Sequence, residues 1–279
     1  MPELTAEILS ALIQQLEDFK SRGEKYVPLS RENMLALASL KLTRVAIAVE
    51  PPALIPPPAP VSTTPLPNSV VSQSREQAIA ELRERALVCQ KCPHLARSRK
   101  SVVFGVGDIH SPLMFVGEAP GADEDTAGEP FVGRAGQLLT RIIQTMGFSR
   151  ETVYIANVLK CRPDTPGQTS GNRKPTADEM KTCLPYLLAQ IDLIQPKIIV
   201  ALGGTAMEGL FGETVYITKA RGQFRTFRAI PVMPTYHPSY LLRNQALSVK
   251  REVWEDMLQV LEKLELPITD KQRNYFLKA

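Results

Sequence analysis

Residues 197–202 read KIIVAL, a short unbroken apolar run of the kind found in strands buried on both faces of a sheet. Working outward, Leu113–Val116 is a second such run that ends in a Gly/Pro turn, Val153–Val158 a third, and Ile230–Met233 a fourth that runs up to His237-Pro238. Helical periodicity falls between them, over residues 137–146, 176–194, 205–211 and 248–264, and a further helix over 72–88 leads into Cys89. Strands that alternate with helices predict an α/β fold, a parallel sheet covered on both faces. In such sheets ligands bind beyond the carboxyl ends of the strands. The loops that follow strands here are 117–133, 159–175 and 234–243, and nearly all the unusual residues lie in them.

The 279 residues carry 33 cationic and 29 anionic side chains, a net charge of +4. That mild basic excess suits nucleic acid without identifying it. A hydrophobic fraction of 44% permits a sizeable core. No apolar run reaches the roughly 18 residues of a membrane span, and the start, Met1-Pro2-Glu3-Leu4, lacks the basic-then-apolar layout of a secretory signal. The expectation is a cytoplasmic chain without a membrane partner. Four cysteines in a reducing compartment are metal ligands or core residues before they are disulfides.

Composition changes near residue 50. Residues 51–68 read PPALIPPPAPVSTTPLPN, with eight prolines in eighteen positions, and favour an extended spacer over helix or central strand. The expected organisation is a segment over 1–50, a linker over 51–72, a catalytic-size domain over 73–268 and a tail over 269–279. Within the first segment, Ile8, Leu12, Ile13 and Leu16 stand at helical spacing, and a second amphipathic stretch begins near Ser30. Residues 1–50 read as a helical docking element or a partly disordered tail, and 1–68 as the place for a protein partner of an otherwise monomeric chain.

Cys89-Gln90-Lys91-Cys92 places two thiols where both can grip one centre, and Cys161 and Cys183 can complete four-thiolate ligation. Zinc and a [4Fe–4S] cluster both accept that ligand set. After the strand at 113–116 come Gly117-Glu118-Ala119-Pro120-Gly121, an acidic run at 123–125, and then Gly128-Glu129-Pro130-Phe131-Val132-Gly133-Arg134-Ala135-Gly136. Glycines at 117, 121, 133 and 136 permit positive φ and close backbone approach to a ligand. Two glycine-rich turns around one aromatic predict a poorly buried Phe131, free to serve a pocket. The acidic run reads most simply as a solvated charge patch. Neither the dinucleotide nor the phosphate-loop glycine pattern is present.

The motifs GEAPGADEDTAGEPFVGRAGQLL, NVLKCRP and HPSYLLR, set in this order behind a C-x-x-C, resemble the family 4 uracil-DNA glycosylases over about residues 75–264. The resemblance implies a three-layer α/β/α sandwich with a four-stranded, mainly parallel sheet. It implies a structural [4Fe–4S] cluster on Cys89, Cys92, Cys161 and Cys183, and excision of uracil from single- or double-stranded DNA to leave an abasic site. The 21 residues between Cys161 and Cys183 are more than is typical, through an insertion around Asp164–Gly171.

A base within a duplex must be extruded before its glycosidic bond can be reached. Phe131 is the expected stacking face, in a pocket walled by Gly117, Ala119 and Gly121. Asn157 can donate to a uracil carbonyl and accept from N3–H, an edge cytosine does not offer. His237 is placed to stabilise the anion that leaves on uracil O2. Glu118 can orient the attacking water, and with Ala119 beside it the chain lacks the second carboxylate of the better-known glycosylase class. Ser239 is assigned to a DNA phosphate, Tyr240, Leu241 and Leu242 to a wedge that fills the vacated stack. Arg134, Lys160, Arg162, Arg173, Lys174 and Arg243 are the expected phosphate contacts. Two alternatives compete: a relative that removes another deaminated or modified base, and a cluster-bearing DNA-binding module without catalysis. A relative trapped covalently on DNA is disfavoured, because the stretch 161–182 holds no histidine.

Overall fold

A computed structural model describes residues 69–165 and 172–277, all within the unit Thr64–Ala279. The expected helices of residues 1–50, most of the linker and the core of the insertion, 166–171, lie outside the described residues.

The helices and strands follow in the order α1 (Ser69–Leu87), α2 (Pro93–Ser98), β1 (Val106–Gly107), β2 (Leu113–Gly117), α3 (Ala122–Ala127), α4 (Arg134–Thr145), β3 (Tyr154–Asn157) and α5 (Ala177–Ile194). The second half holds β4 (Ile198–Leu202), α6 (Gly204–Phe211), α7 (Ile217–Ala220), β5 (Arg225–Phe227), β6 (Ile230–Thr235), α8 (Pro238–Arg243), α9 (Leu247–Lys263) and α10 (Asp270–Arg273). One sheet runs β1-β3-β2-β4-β6-β5. Its four inner strands are parallel, with Phe115 opposite Ile155 and Val200, and Val200 opposite Met233. These are the four strands expected.

The expectation of a four-stranded sheet is corrected by two antiparallel edges, β1 against β3 and β5 against β6, which make six. Both edges are too short for a periodicity to register. The β5–β6 hairpin turns on Arg228 and Ala229, both at positive φ (47° and 66°). That is the backbone of a two-residue hairpin loop, made here without the Asn-Gly or Asp-Gly pair that usually signals it. Arg228 is held outside the turn by Asp192 at 2.9 Å.

Side chains on successive strand positions point to opposite faces, and the two cores show it. Met114, Val116, Ile199 and Ala201 pack on one face with Leu187 and Ile191 of α5 and Met207 of α6. Leu113, Phe115, Ile198 and Val200 pack on the other with Leu139 and Ile143 of α4 and Met257 and Leu261 of α9. The three-layer α/β/α sandwich follows directly. Helix α5 opens with a capping box in which Glu179 N–H donates to Thr176 Oγ1 at 3.2 Å and Thr176 N–H to Glu179 Oε2 at 2.8 Å.

The segment expected as a tail beyond residue 268 folds back instead. Trp254 Nε1 donates to the Gln272 carbonyl at 2.5 Å, Gln272 Nε2 to the Thr145 carbonyl at 2.9 Å, and Tyr275 meets Trp254 edge-on at 5.5 Å. The four parallel strands end at Gly117, Asn157, Leu202 and Thr235 on one side of the molecule, and the site opens there.

Candidate active site

A cleft of about 630 Å³ lies beyond these strand ends and is lined by Glu118, Ala119, Gly121, Phe131, Asn157, His237, Ser239, Tyr240 and Arg243, among others. All four residues expected to carry the chemistry thus meet in one place. Gly117, expected as a wall of the pocket, lies instead directly against Asn157 and Phe131. A Cβ on Gly117 would land inside the van der Waals envelope of both Asn157 Oδ1 and the Phe131 ring. Only glycine allows the amide and the ring to approach this closely.

Of the two properties expected of the four glycines, close approach is used and positive φ is not. Gly117, Gly121, Gly133 and Gly136 keep ordinary φ, and the left-handed region is occupied by Gly128, at φ 75°, and by Phe131 itself, at φ 55°. Their role is close approach: a Cβ on Gly136 would fall on the Phe131 carbonyl, and one on Gly133 would strike Asp123. Phe131 is also buried, at 6% exposure, rather than poorly covered. Its ring lies 5.6 Å from that of His237, tilted by 33°. One aromatic wall and one imidazole therefore bound the same space.

Asn157 is 2% exposed. Its carbonyl oxygen Oδ1 is the single buried side-chain polar atom without a partner among the described residues. A buried acceptor left open costs stability, on the order of 1–3 kcal/mol, so such an atom in a cleft points to a donor supplied by a ligand.

His237 Nδ1 accepts from Ser239 N–H at 3.1 Å and lies 2.8 Å from Ser239 Oγ. Burial, then the charge of Arg243, lowers its pKa to about 4. The ring is neutral near pH 7. Ser239 is therefore engaged with the imidazole, not free for a phosphate. Glu118 is pushed above the usual glutamate range by burial, and a hydrogen bond from Thr205 offsets part of that.

The expected wedge is smaller than the motif suggested. Leu241 is buried at 5% exposure and packs with Tyr236, Val249 and Val253, so it is removed from the wedge. Tyr240 stacks on Tyr236 at 4.7 Å. Leu242 is half-buried and Arg243 exposed. Among the expected phosphate contacts, Lys160 is corrected: it is 1% exposed, with Nζ donating to Asn157 O at 2.9 Å and Gln190 Oε1 at 2.5 Å. Arg173 is paired with Glu179 and Lys174 with Glu208. Arg162 Nε donates to Asn172 Oδ1 at 3.0 Å, while Arg134 and Arg243 stay exposed.

Several residues of the site carry no motif signal. The acidic run is solvated only at Asp123: Asp125 is 2% exposed and accepts from the Lys100 and Ser101 amides, and Glu124 caps α3 from its N3 position. The Glu124 role was legible as an acidic residue three places after Gly121, a capping spacing. Arg150 and Thr205 had no such cue.

Cys89, Cys92, Cys161 and Cys183 line one small cavity with Leu95, Leu159 and Arg99. Arg99 Nη1 donates to Cys161 Sγ at 3.1 Å and Lys160 N–H to Cys183 Sγ at 3.2 Å. Burial raises Cys183 to about 11 and also raises Cys161 and Cys92, with neighbouring cysteines adding to each shift. Thiols so placed ionise together only against a strong positive centre. Among the described residues no three or more His, Cys, Asp or Glu side chains are gathered as for a single metal ion.

Residues 104–258 match the family model described as the uracil DNA glycosylase superfamily. A type-4 uracil-DNA glycosylase of Thermotoga maritima is 46% identical over 186 residues, which cover 66% of this chain and 93% of that protein. Type-4 uracil-DNA glycosylases of Saccharolobus solfataricus (44% over 191 residues, 65% of this chain and 84% of that protein) and Sulfurisphaera tokodaii (42% over 211 residues, 72% and 90%) are similar along the same region. With the matched model spanning more than half of the sequence and these relatives aligned over most of their length, the chain belongs to the uracil DNA glycosylase superfamily, in its type-4 branch.

Proposed function

We propose that the chain removes uracil from DNA by hydrolysing the N-glycosidic bond, with Phe131, Asn157, His237 and Glu118 as the working residues. The observation that carries this reading is the open buried acceptor of Asn157 beside the Phe131 ring. Uracil N3–H is the donor that would satisfy it, and the Asn157 amide N–H would pair with a uracil carbonyl. Cytosine presents an acceptor at N3 and leaves Oδ1 unpaired, which is where discrimination arises.

The target nucleotide leaves the stack at a cost of roughly a few kcal/mol, and the base slides against Phe131. The C1′–N1 bond breaks with its electron pair leaving on uracil. The neutral His237 ring presents Nε2–H, which stabilises the charge that collects on O2 without donating a full proton. Water, oriented by the ionised Glu118, adds to C1′ through its oxygen; one of its protons stays on the new hydroxyl and the other passes to the released base. Leu242 and Arg243 at the rim serve the gap and the backbone of the strand. The products are free uracil and an abasic site.

Cys89, Cys92, Cys161 and Cys183 line one cavity and would hold a [4Fe–4S] cluster, which takes four thiolates. When bound it supplies a covalent cross-link between the α1–α2 turn, the loop after β3 and α5. Broad visible absorption with iron and sulfide in equal amounts supports it; a colourless protein with stoichiometric zinc overturns it. The reading also carries a cytoplasmic, monomeric protein, with residues 1–68 as the place for a protein partner; no helix among the described residues is long and apolar enough to cross a membrane.

The test is excision from uracil-containing single- and double-stranded oligonucleotides. Wild-type protein releases uracil, Glu118→Ala and His237→Ala slow it strongly, and Asn157→Ala weakens preference for uracil. Protein that binds such DNA and leaves uracil in place sinks the proposal.

A further inference from the structure

Phe131 holds a backbone conformation that side-chain-bearing residues rarely adopt, φ 55°, so something outside it must keep it there. Two ionic side chains do. Arg150, from the turn between α4 and β3, donates from Nη2 to the Pro130 carbonyl at 2.7 Å and from Nη1 to the Phe131 carbonyl at 3.0 Å. Glu124, from α3, accepts through Oε1 from the Val132 and Gly133 amides, both at 3.0 Å. Its Oε2 accepts from the Gly121 amide at 3.0 Å, in the capping box that starts α3. Four consecutive residues, 130 to 133, are thus gripped by a cation on their carbonyls and a carboxylate on their amides. Gly136 leaves the space in which the Phe131 carbonyl turns toward Arg150.

We infer that Arg150 and Glu124 are positioning residues that clamp Phe131 in its left-handed conformation and so set the plane on which the extruded base stacks. The inference rests on Phe131 as the stacking face. A single Arg fork can reach two adjacent carbonyls at once, whereas a lysine presents one point of charge. Arg150 is half-buried at the back of the loop and does not line the cleft. It acts on the substrate only through Phe131.

The experiment is a double-mutant cycle of Arg150→Ala and Phe131→Ala, with KM and kcat on a uracil-containing oligonucleotide and inhibition by free uracil as readouts. Arg150→Ala weakens free-uracil inhibition and raises KM about tenfold, with a smaller change in kcat, and Arg150→Lys falls between. In the Phe131→Ala background the Arg150→Ala change adds nothing. A loss as large in that background as in wild type means a general structural role and overturns the clamp, as does unchanged uracil affinity in Arg150→Ala. Should Arg150→Ala fail to fold, the same cycle with Arg150→Lys decides. Unchanged uracil affinity in Phe131→Ala alone instead overturns the stacking role, and the clamp with it.

Discussion

The backbone N–H of Ser239 points at Nδ1 of His237 from 3.1 Å. A backbone amide can only donate, so Nδ1 is the acceptor and the single ring proton sits on Nε2. The imidazole is thereby delivered to the cleft as a neutral donor, which is the form that stabilises an anionic leaving group without first having to be charged. Helix α8 begins immediately after it, and the same short turn that starts the helix sets the tautomer.

Nitrogen NMR of His237 is expected to show an unprotonated Nδ1 and a protonated Nε2 from neutral pH down to about pH 5. The folded pKa of about 4 lies below the ordinary 6.5. The contribution of His237 to stability is therefore complete above the ordinary value and is lost as pH falls through about 4. His237→Ala should slow excision by about 10²–10³-fold. A doubly protonated ring at pH 6.5 would contradict the assignment.

The acid limb of kcat/KM is expected to follow Glu118 rather than His237. Burial raises Glu118 above the usual glutamate range and the Thr205 hydrogen bond pulls it partly back. The ionised form is the active one, so activity is lost as pH falls through that raised value. Thr205→Val should move the limb to higher pH, and Glu118→Gln should leave a slow enzyme without it. A limb that stays put in both variants assigns it elsewhere.

Gly117→Ala is expected to abolish most activity. The new Cβ would fall 2.7 Å from Phe131 Cε2 and closer still to Asn157 Oδ1. One of the two must move, and a displacement of about 1 Å in a positioned group costs on the order of 10²-fold in rate. Overpacking should cost only about 1–3 kcal/mol of stability, so thermal unfolding and excision measured together separate misplacement from misfolding. Retained activity would show that the close approach of these side chains is not needed.

Asp256 ties Thr235, at the end of the strand that leads to His237, to α9. It is fully buried, takes Arg221 Nη2 at 2.5 Å and Nε at 3.1 Å, and accepts from Thr235 Oγ1 at 2.6 Å. Asp256→Ala leaves the Arg221 charge without this partner and should destabilise by about 3–5 kcal/mol in denaturant unfolding. Burial raises the Asp256 pKa from 3.8 to about 6. Its pH-linked contribution is then greatest below the lower value and declines as pH rises through about 6. Asp256→Asn should flatten that slope; an unchanged slope would assign it to another group.

The amino-acid order by itself determined the four inner strands, because each is a continuous apolar run too short for a helix and bounded by turn residues. It also determined which residues meet: Asn157 is itself a strand end and Glu118, Phe131 and His237 follow strand ends, and parallel strands bring all such ends to one side. Charge could not be read the same way. Lys160 looks like a phosphate contact in NVLKCRP, yet it is buried on Gln190, a residue thirty positions away on α5. Leu241 and Leu242 are indistinguishable in HPSYLLR until α8 turns one of them into the core. The left-handed backbone of Phe131, and the Arg150 and Glu124 that hold it, are contacts between separate elements. Local sequence specifies strands and turns through periodicity and φ preference, but which buried polar group answers which depends on packing across the sheet, and only the tertiary structure decides that.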